Sequence, residues 1–137
     1  MKKILVALDG SKNSSRALSK GIEMATNGFA SITGISVIQV FPTEMGIVKT
    51  WGGTEIFKNS EKFLKIANMM CAKRKVKFNS VIKYGDEGRT IVSFAHKNKY
   101  DLIVIGSRGR GRIKEVFLGS TSNYVLHSSK IPVLIVK

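Results

Sequence analysis

The chain has little with which to staple itself or hold a metal. Its single cysteine, Cys71, can form neither an intrachain disulfide nor, alone, a metal cluster, so the chain suits a reducing compartment. The two histidines, His96 and His127, belong to no paired metal-ligand or nucleophile pattern. A G-x-S-x-G hydrolase elbow is also missing. No apolar run approaches the roughly 20 residues of a membrane span. Met1-Lys2-Lys3 followed by Ile4 to Leu8 imitates the start of a signal peptide, but the run is short and no small-residue cleavage pattern follows. The expectation is a cytoplasmic chain. Acidic residues are scarce too: 9 Asp and Glu face 23 Lys and Arg, a formal charge of +14. Such a field gathers polyanions without bearing on fold, and leaves nucleic acid or an anionic membrane surface open as a weak partner. The cluster Lys73-Arg74-Lys75 with Lys77 reads as a solvated basic face.

What is present is enough for one domain, residues 1–137, with a core that needs no staples. Lys3 to Asp9 reads as a short buried strand ending in a carboxylate. Ser11 or Asn13 can cap the helix after it, on which Ala17, Leu18, Ile22 and Ala25 recur at helical spacing. Gly28 is a stop signal. Gly21, inside that helix, costs about 0.5–1 kcal/mol relative to alanine unless close packing demands it. Ser31 to Val40 suggests a second strand, closed by Phe41-Pro42, with Gly34 marking a bulge or a close contact. Thr43 to Thr54, around Trp51, reads as a flexible connection, Trp51 being an edge cap or a lid.

Glu55 to Arg74 carries the clearest helical period, with Ile56, Phe57, Ser60, Phe63, Leu64, Ala67, Met70 and Cys71 on one side and Met69-Met70 as packing. Val76 to Tyr84 predicts a strand, and Asp86 can cap a helix through Ile91, Val92 and Ala95. Leu102 to Ile105 is an unbroken β-prone run suited to a strand covered on both faces. Ser120 to Ser128 reads as a short helix with Tyr124 and Val125 inward, and Ile131 to Val136 as a last strand. Strands alternating with helices predict a three-layer α/β domain with an open, five-stranded, mainly parallel sheet.

The loop after Ile105, Gly106-Ser107-Arg108-Gly109-Arg110-Gly111-Arg112, is glycine-rich and basic, and favours an anion near its free N–H groups. A Walker loop fails, because Gly111 is followed by Arg112 and Ile113. The dinucleotide fingerprint fails at Lys114. What remains is Gly106-x2-Gly109-x9-Gly119-Ser120, which resembles the nucleotide-binding signature of the universal stress protein family. The likeness extends to Ile4–Asp9 and to Ile131–Val136.

The resemblance implies an adenine nucleotide alpha-hydrolase-like sheet of order 3-2-1-4-5. It also implies a site for ATP, with ADP or AMP as other occupants and Mg2+ as an optional companion. In the family's ATP-binding branch, Gly106, Gly109, Gly119 and Ser120 would hold phosphates, Asp9 would approach the ribose, and Val40 and Ala7 would meet the adenine side. Ser122 is either a further phosphate donor or a hydroxyl making only local bonds. Arg108, Arg110 and Arg112 are solvated loop charges, or one or two fold over the phosphates, Arg108 first. Asp9 could instead bind the backbone at Gly10 or Ser11. The resemblance also implies a homodimer through the C-terminal strand, and a stress-response or signalling role with slow or absent hydrolysis and a protein partner yet to be named. A nucleotide hydrolase or phosphotransferase using the same cradle, and a basic polyanion-binding protein, are the competing classes. His96 reads as a helix-border residue and His127 as structural, so no catalytic residue and no metal ligand is named.

Overall fold

The computed structural model describes residues 1–42, 48–50, 53–109 and 118–137. Trp51, Arg110, Gly111, Arg112, Ile113 and Lys114, named above, lie outside the described residues.

Apolar runs in this chain are continuous because their strands are covered on both sides. In β1 (Lys3–Ala7), Ile4 and Val6 enter one core together with Leu102 and Val104 of β6 (Leu102–Gly106). Leu5 and Ala7 enter a second core, with Ile103 and Ile105. The first core is closed by Ala17, Leu18 and Ile22 of α1 (Lys12–Gly28) and by Leu64, Ala67 and Cys71 of α2 (Gly53–Lys73). The second is closed by Ile91, Val92 and Ala95 of α3 (Glu87–Lys97) and by Val125 of α4 (Ser120–Ser128). Helices therefore flank the sheet in three layers, and each fully buried Ile or Leu contributes roughly 1.5–3 kcal/mol.

With β2 (Ser31–Ile38), β5 (Phe78–Tyr84) and β7 (Val133–Val136), the spatial order is β5-β2-β1-β6-β7, every neighbouring pair parallel. Counted over the five sheet strands this is the 3-2-1-4-5 order that the resemblance implies. Burial pushes the Cys71 thiol up to about 11, as befits a packed rather than a reactive sulfur.

Three expectations need correction. Val40 does not extend the second strand: β2 stops at Ile38, and β3 (Val40–Pro42) pairs antiparallel with β4 (Val48–Thr50). The last residues of β2 with partners are Ile35, opposite Ala7, and Ile38, opposite Tyr84, so beyond Ile38 neither neighbour offers a ladder and the chain pairs with itself. The stretch from Thr43 to Thr54 is consequently not all connection, and α2 begins at Gly53. Finally, Met69 (62% exposed), Phe57 and Tyr124 (37%) lie on outer helix faces rather than inside, although the Tyr124 ring still rests against Gly88 of α3.

Two glycines are explained by close approach. A Cβ on Gly21 would stand 3.0 Å from Val6 Cγ2, so a side chain there would push Val6 or α1 by a few tenths of an ångström. Gly34 makes no bulge, since its register with β1 and β5 runs unbroken; a Cβ would meet Phe78 at 2.8 Å and Leu8 at 2.9 Å. Buried hydroxyls are paired across layers, Ser36 with Ser60 at 3.1 Å and Tyr100 donating to Thr33 at 2.7 Å.

Helix ends follow one scheme. Ser11 caps α1 by accepting from Ser14 N–H, and Asp86 caps α3 by accepting from Arg89 N–H. The carboxyl ends of α1, α2 and α3 repeat one Schellman-type closure: Ala30 N–H donates to Ala25, Val76 to Cys71 and Tyr100 to Ala95, each at 3.0 Å. Ala30, Val76 and Tyr100 are buried, and the residue before each adopts a left-handed conformation: Phe29 (φ 56), Lys75 (φ 57) and Lys99 (φ 55). Glycine is the usual occupant of such a position, and a side chain there costs about 1 kcal/mol.

Candidate functional site

In an open parallel sheet the ligand site lies beyond the carboxyl ends of strands, where strand order reverses. That point is the seam between β1 and β6, paired from Ile4–Leu102 to Val6–Val104, so Asp9 and Gly106 leave the sheet side by side. Glycine at two positions, Gly106 and Gly109, lets the loops close on one another. A Cβ on Gly106 would meet the backbone of Asn13 at 2.9 Å, in the first turn of α1. On Gly109 it would stand 2.6 Å from Asp9 Oδ2. Gly119 packs on Arg108 Cα and the Ser107 carbonyl, where a Cβ would make ordinary contacts at 3.5 and 3.6 Å.

Ser107 is the hub of this arrangement, and the sequence reading passed over it. It is buried; its N–H donates to Val136, and its carbonyl accepts from Gly119 N–H at 2.7 Å and from the Ser122 hydroxyl at 2.8 Å. Its own hydroxyl accepts from Asn13 Nδ2 at 3.4 Å. Asn13 in turn accepts from Arg16, whose Nε donates to the carbonyl of Lys137. Asn13 was readable only as a helix-cap candidate, because its bond to Ser107 depends on a loop far away in sequence.

Asp9 Oδ1 accepts from Ser11 N–H at 2.9 Å, the local backbone bond expected as one alternative, while its Oδ2 lies next to Gly109. Ser122 is buried with its proton directed to backbone carbonyls, the local-bonding alternative. Ser120 is exposed at the first residue of α4, whose N-cap, Gly119, supplies no side-chain cap. Among the described residues no side-chain cap closes that first turn, which begins beside Gly109 and where the helix dipole favours an anion. Arg108 is half-buried beside Gly119. Ala7 lies below Asp9 as part of the second core, and Val40 sits on the separate β3–β4 ladder past the end of β2. The structure thus joins Asp9, Gly106, Gly109, Gly119, Ser120 and Ser122, whereas Ala7 and Val40 stand around rather than within that group.

The cradle suits a phosphate chain: backbone donors, a helix start and close-packed glycines that admit a ligand to the main chain. Among the described residues no trio of His, Cys, Asp or Glu is placed to hold a metal ion. His96 lies elsewhere, its Nε2 accepting from Lys130 N–H at 3.1 Å. No described helix is long and apolar enough to cross a membrane.

A sheet of this order with a glycine-lined cradle at the reversal defines the adenine nucleotide alpha-hydrolase-like class of α/β folds. Within that class the chain belongs to the universal stress protein family, whose pattern it matches across residues 1–137. It is 32% identical to the universal stress protein YxiE of Bacillus subtilis, covering 98% of each chain. Its structure resembles that of UspA from Lactobacillus plantarum with TM-score 0.84 and 21% identity, over 99% of this chain and 97% of the other. It also resembles a universal stress protein from Archaeoglobus fulgidus in complex with dAMP, with TM-score 0.77 and 20% identity, over 100% and 98%.

Proposed function

We propose that this chain binds an adenine nucleotide, ATP foremost, in the cradle formed by Gly106, Gly109, Gly119 and Ser120 with Asp9 at its rim. It acts as a single-domain cytoplasmic stress-response or signalling protein that turns the nucleotide over slowly or not at all. The observation carrying this reading is the closure of Gly109 on the Asp9 carboxylate beside the start of α4, which no side chain caps among the described residues. Negative phosphates would sit at the positive helix end, and the carboxylate would be kept for sugar hydroxyls or a bridging Mg2+ rather than for phosphate, which it would repel. The dAMP held by the A. fulgidus relative supports an adenine nucleotide as the ligand class. Ser122 and Ser107 position the loop, and Arg108 is the side chain nearest to serve as a charge-assisted donor. Val40 and Ala7 border the base.

Isothermal calorimetry on protein stripped of carried-over ligand tests this directly. Saturable binding of ATP, ADP or AMP, weakened at least tenfold by Gly109→Ala, is the expected result; no saturable adenine-nucleotide binding would end the proposal. Repeated turnover abolished by Ser120→Ala would move the assignment to a hydrolase or phosphotransferase.

The same reading includes a homodimer through β7. Pro132 and Val136 turn their carbonyls to β6, so alternation places the N–H groups of Val133 and Ile135 on the outer edge of the sheet. An apolar edge of this kind readily pairs with a second copy. Ile135→Pro removes an outward donor while sparing the β6 ladder, and should convert a dimer to a monomer in sedimentation equilibrium.

A further inference from the structure

The opposite end of the sheet, where strands begin and α1, α2 and α3 end, carries a band of cations. We propose that this end is a docking track for single-stranded nucleic acid, separate from the nucleotide cradle. In spatial order the band starts with Lys73, Arg74, Lys75 and Lys77 at the α2–β5 connection. Phe29 follows at the entry to β2, then Lys2 before β1, then Lys97 and Lys99 before β6, and Lys130 before β7. All of these side chains are exposed, Phe29 to 95%. The connections are tied at one level: Ser31 N–H donates to Lys2, Ile32 N–H to Lys77 and Asp101 N–H to Lys3, each at 2.9 Å. Five strands at about 4.8 Å spacing make a row roughly 20 Å long.

The band is not balanced by acids. Among the described residues of these connections Asp101 is the single carboxylate, and it is occupied by the N–H groups of Lys2 and Lys3. Helix dipoles account for basic residues in a last turn, as at Lys73 and Lys97. They do not account for Lys2, Lys77 and Lys130, which lie off the helices. Nor do they account for the left-handed positions, where the backbone favours glycine and the chain places Phe29, Lys75 and Lys99. A fully exposed aromatic ring set within a line of ammonium groups matches a base-stacking platform flanked by phosphate contacts. Lysines, as point charges without a fork, give backbone attraction without base readout. A membrane surface fits less well, because insertion calls for several apolar side chains together and, among the described residues of these connections and the start of β1, the large exposed apolar ones are Phe29 and Met1.

The test is fluorescence anisotropy on the full chain with a labelled oligouridylate of about 12 nucleotides, a length within the range one small domain covers. Binding should weaken steeply with salt. The triple variant Lys75→Glu/Lys77→Glu/Lys99→Glu should lower affinity at least tenfold and flatten the log–log salt slope by about 2, near 0.7 per lost phosphate contact. Phe29→Asn, which keeps a residue tolerant of the left-handed backbone, should lower affinity about tenfold, and Phe29→Tyr should restore it. Oligonucleotide binding indifferent to the triple variant, or abolished by Gly109→Ala, overturns the proposal. So does co-sedimentation with phosphatidylserine vesicles without measurable oligonucleotide affinity, or binding that Phe29→Asn leaves unchanged. Melting curves verify that each variant is folded.

Discussion

The two ends of the sheet treat glycine in opposite ways. At the carboxyl end, Gly106 and Gly109 occupy positions where a Cβ would strike Asn13 or Asp9, so the residue type follows from geometry. At the amino end, three left-handed positions favour glycine, and the chain supplies Phe29, Lys75 and Lys99. The first end is shaped by what must approach the backbone. The second is shaped by what the side chains present to solvent, at a cost of about 1 kcal/mol per residue. Glycine present under compulsion and glycine absent against preference are both informative, and they point to different kinds of ligand.

Gly106→Ala should give the largest effect. Its Cβ would press on the main chain of Asn13, which cannot rotate away, so α1 must shift against β6. A loss of about 1–3 kcal/mol in urea unfolding is expected, together with loss of nucleotide binding. Gly109→Ala separates these two consequences. Its clash is with the mobile end of Asp9, so stability should stay within about 0.5 kcal/mol while nucleotide affinity falls at least tenfold in calorimetry. Equal stability losses in both variants would show that the cradle glycines serve packing alone. At the other end, glycine at position 29, 75 or 99 should stabilise by about 0.5–1 kcal/mol each, the relief of left-handed strain less the added freedom of the unfolded chain. Destabilisation would mean that these side chains are held for packing, and the contrast between the two ends would fail.

The sheet was legible because its signal is local: Ile4 to Val6 and Leu102 to Ile105 are short, β-prone runs without polar alternation, the pattern of a strand covered on both faces. The cradle's glycines were legible by spacing, through resemblance to a known signature. Ser107 was not, because its importance lies in accepting from Gly119 and Ser122, which are distant in sequence and which the signature marks for a ligand rather than for a bond to this loop. The end of β2 at Ile38 was hidden for a similar reason: Val40 is as β-prone as its predecessors, and the loss of partners on both sides is a property of the neighbouring strands. Of the basic row only the Lys73–Lys77 cluster was visible beyond total charge, since its members come from four connections and the residues before β1, which the fold alone aligns.

The smallest effect expected concerns Asp101, the acid at the basic end. Hydrogen bonds from the backbone N–H groups of Lys2 and Lys3, at 2.8 and 2.9 Å, lower its pKa below the ordinary 3.8. A carboxylate whose folded pKa is depressed stabilises the fold above its unfolded value, and that contribution disappears as pH falls through the folded value. Wild-type protein should therefore lose a small increment of stability below about pH 4 that Asp101→Asn does not lose, with urea midpoints at neutral and acid pH as the measure. The increment is small because the carboxylate is exposed and water screens it. The same variant separates two uses of that charge. If Asp101 serves the β1–β6 connection, its loss lowers stability at neutral pH and leaves oligonucleotide affinity unchanged. If the band of cations acts as a unit, removing its one carboxylate strengthens oligonucleotide binding slightly and steepens its salt dependence, whatever happens to stability.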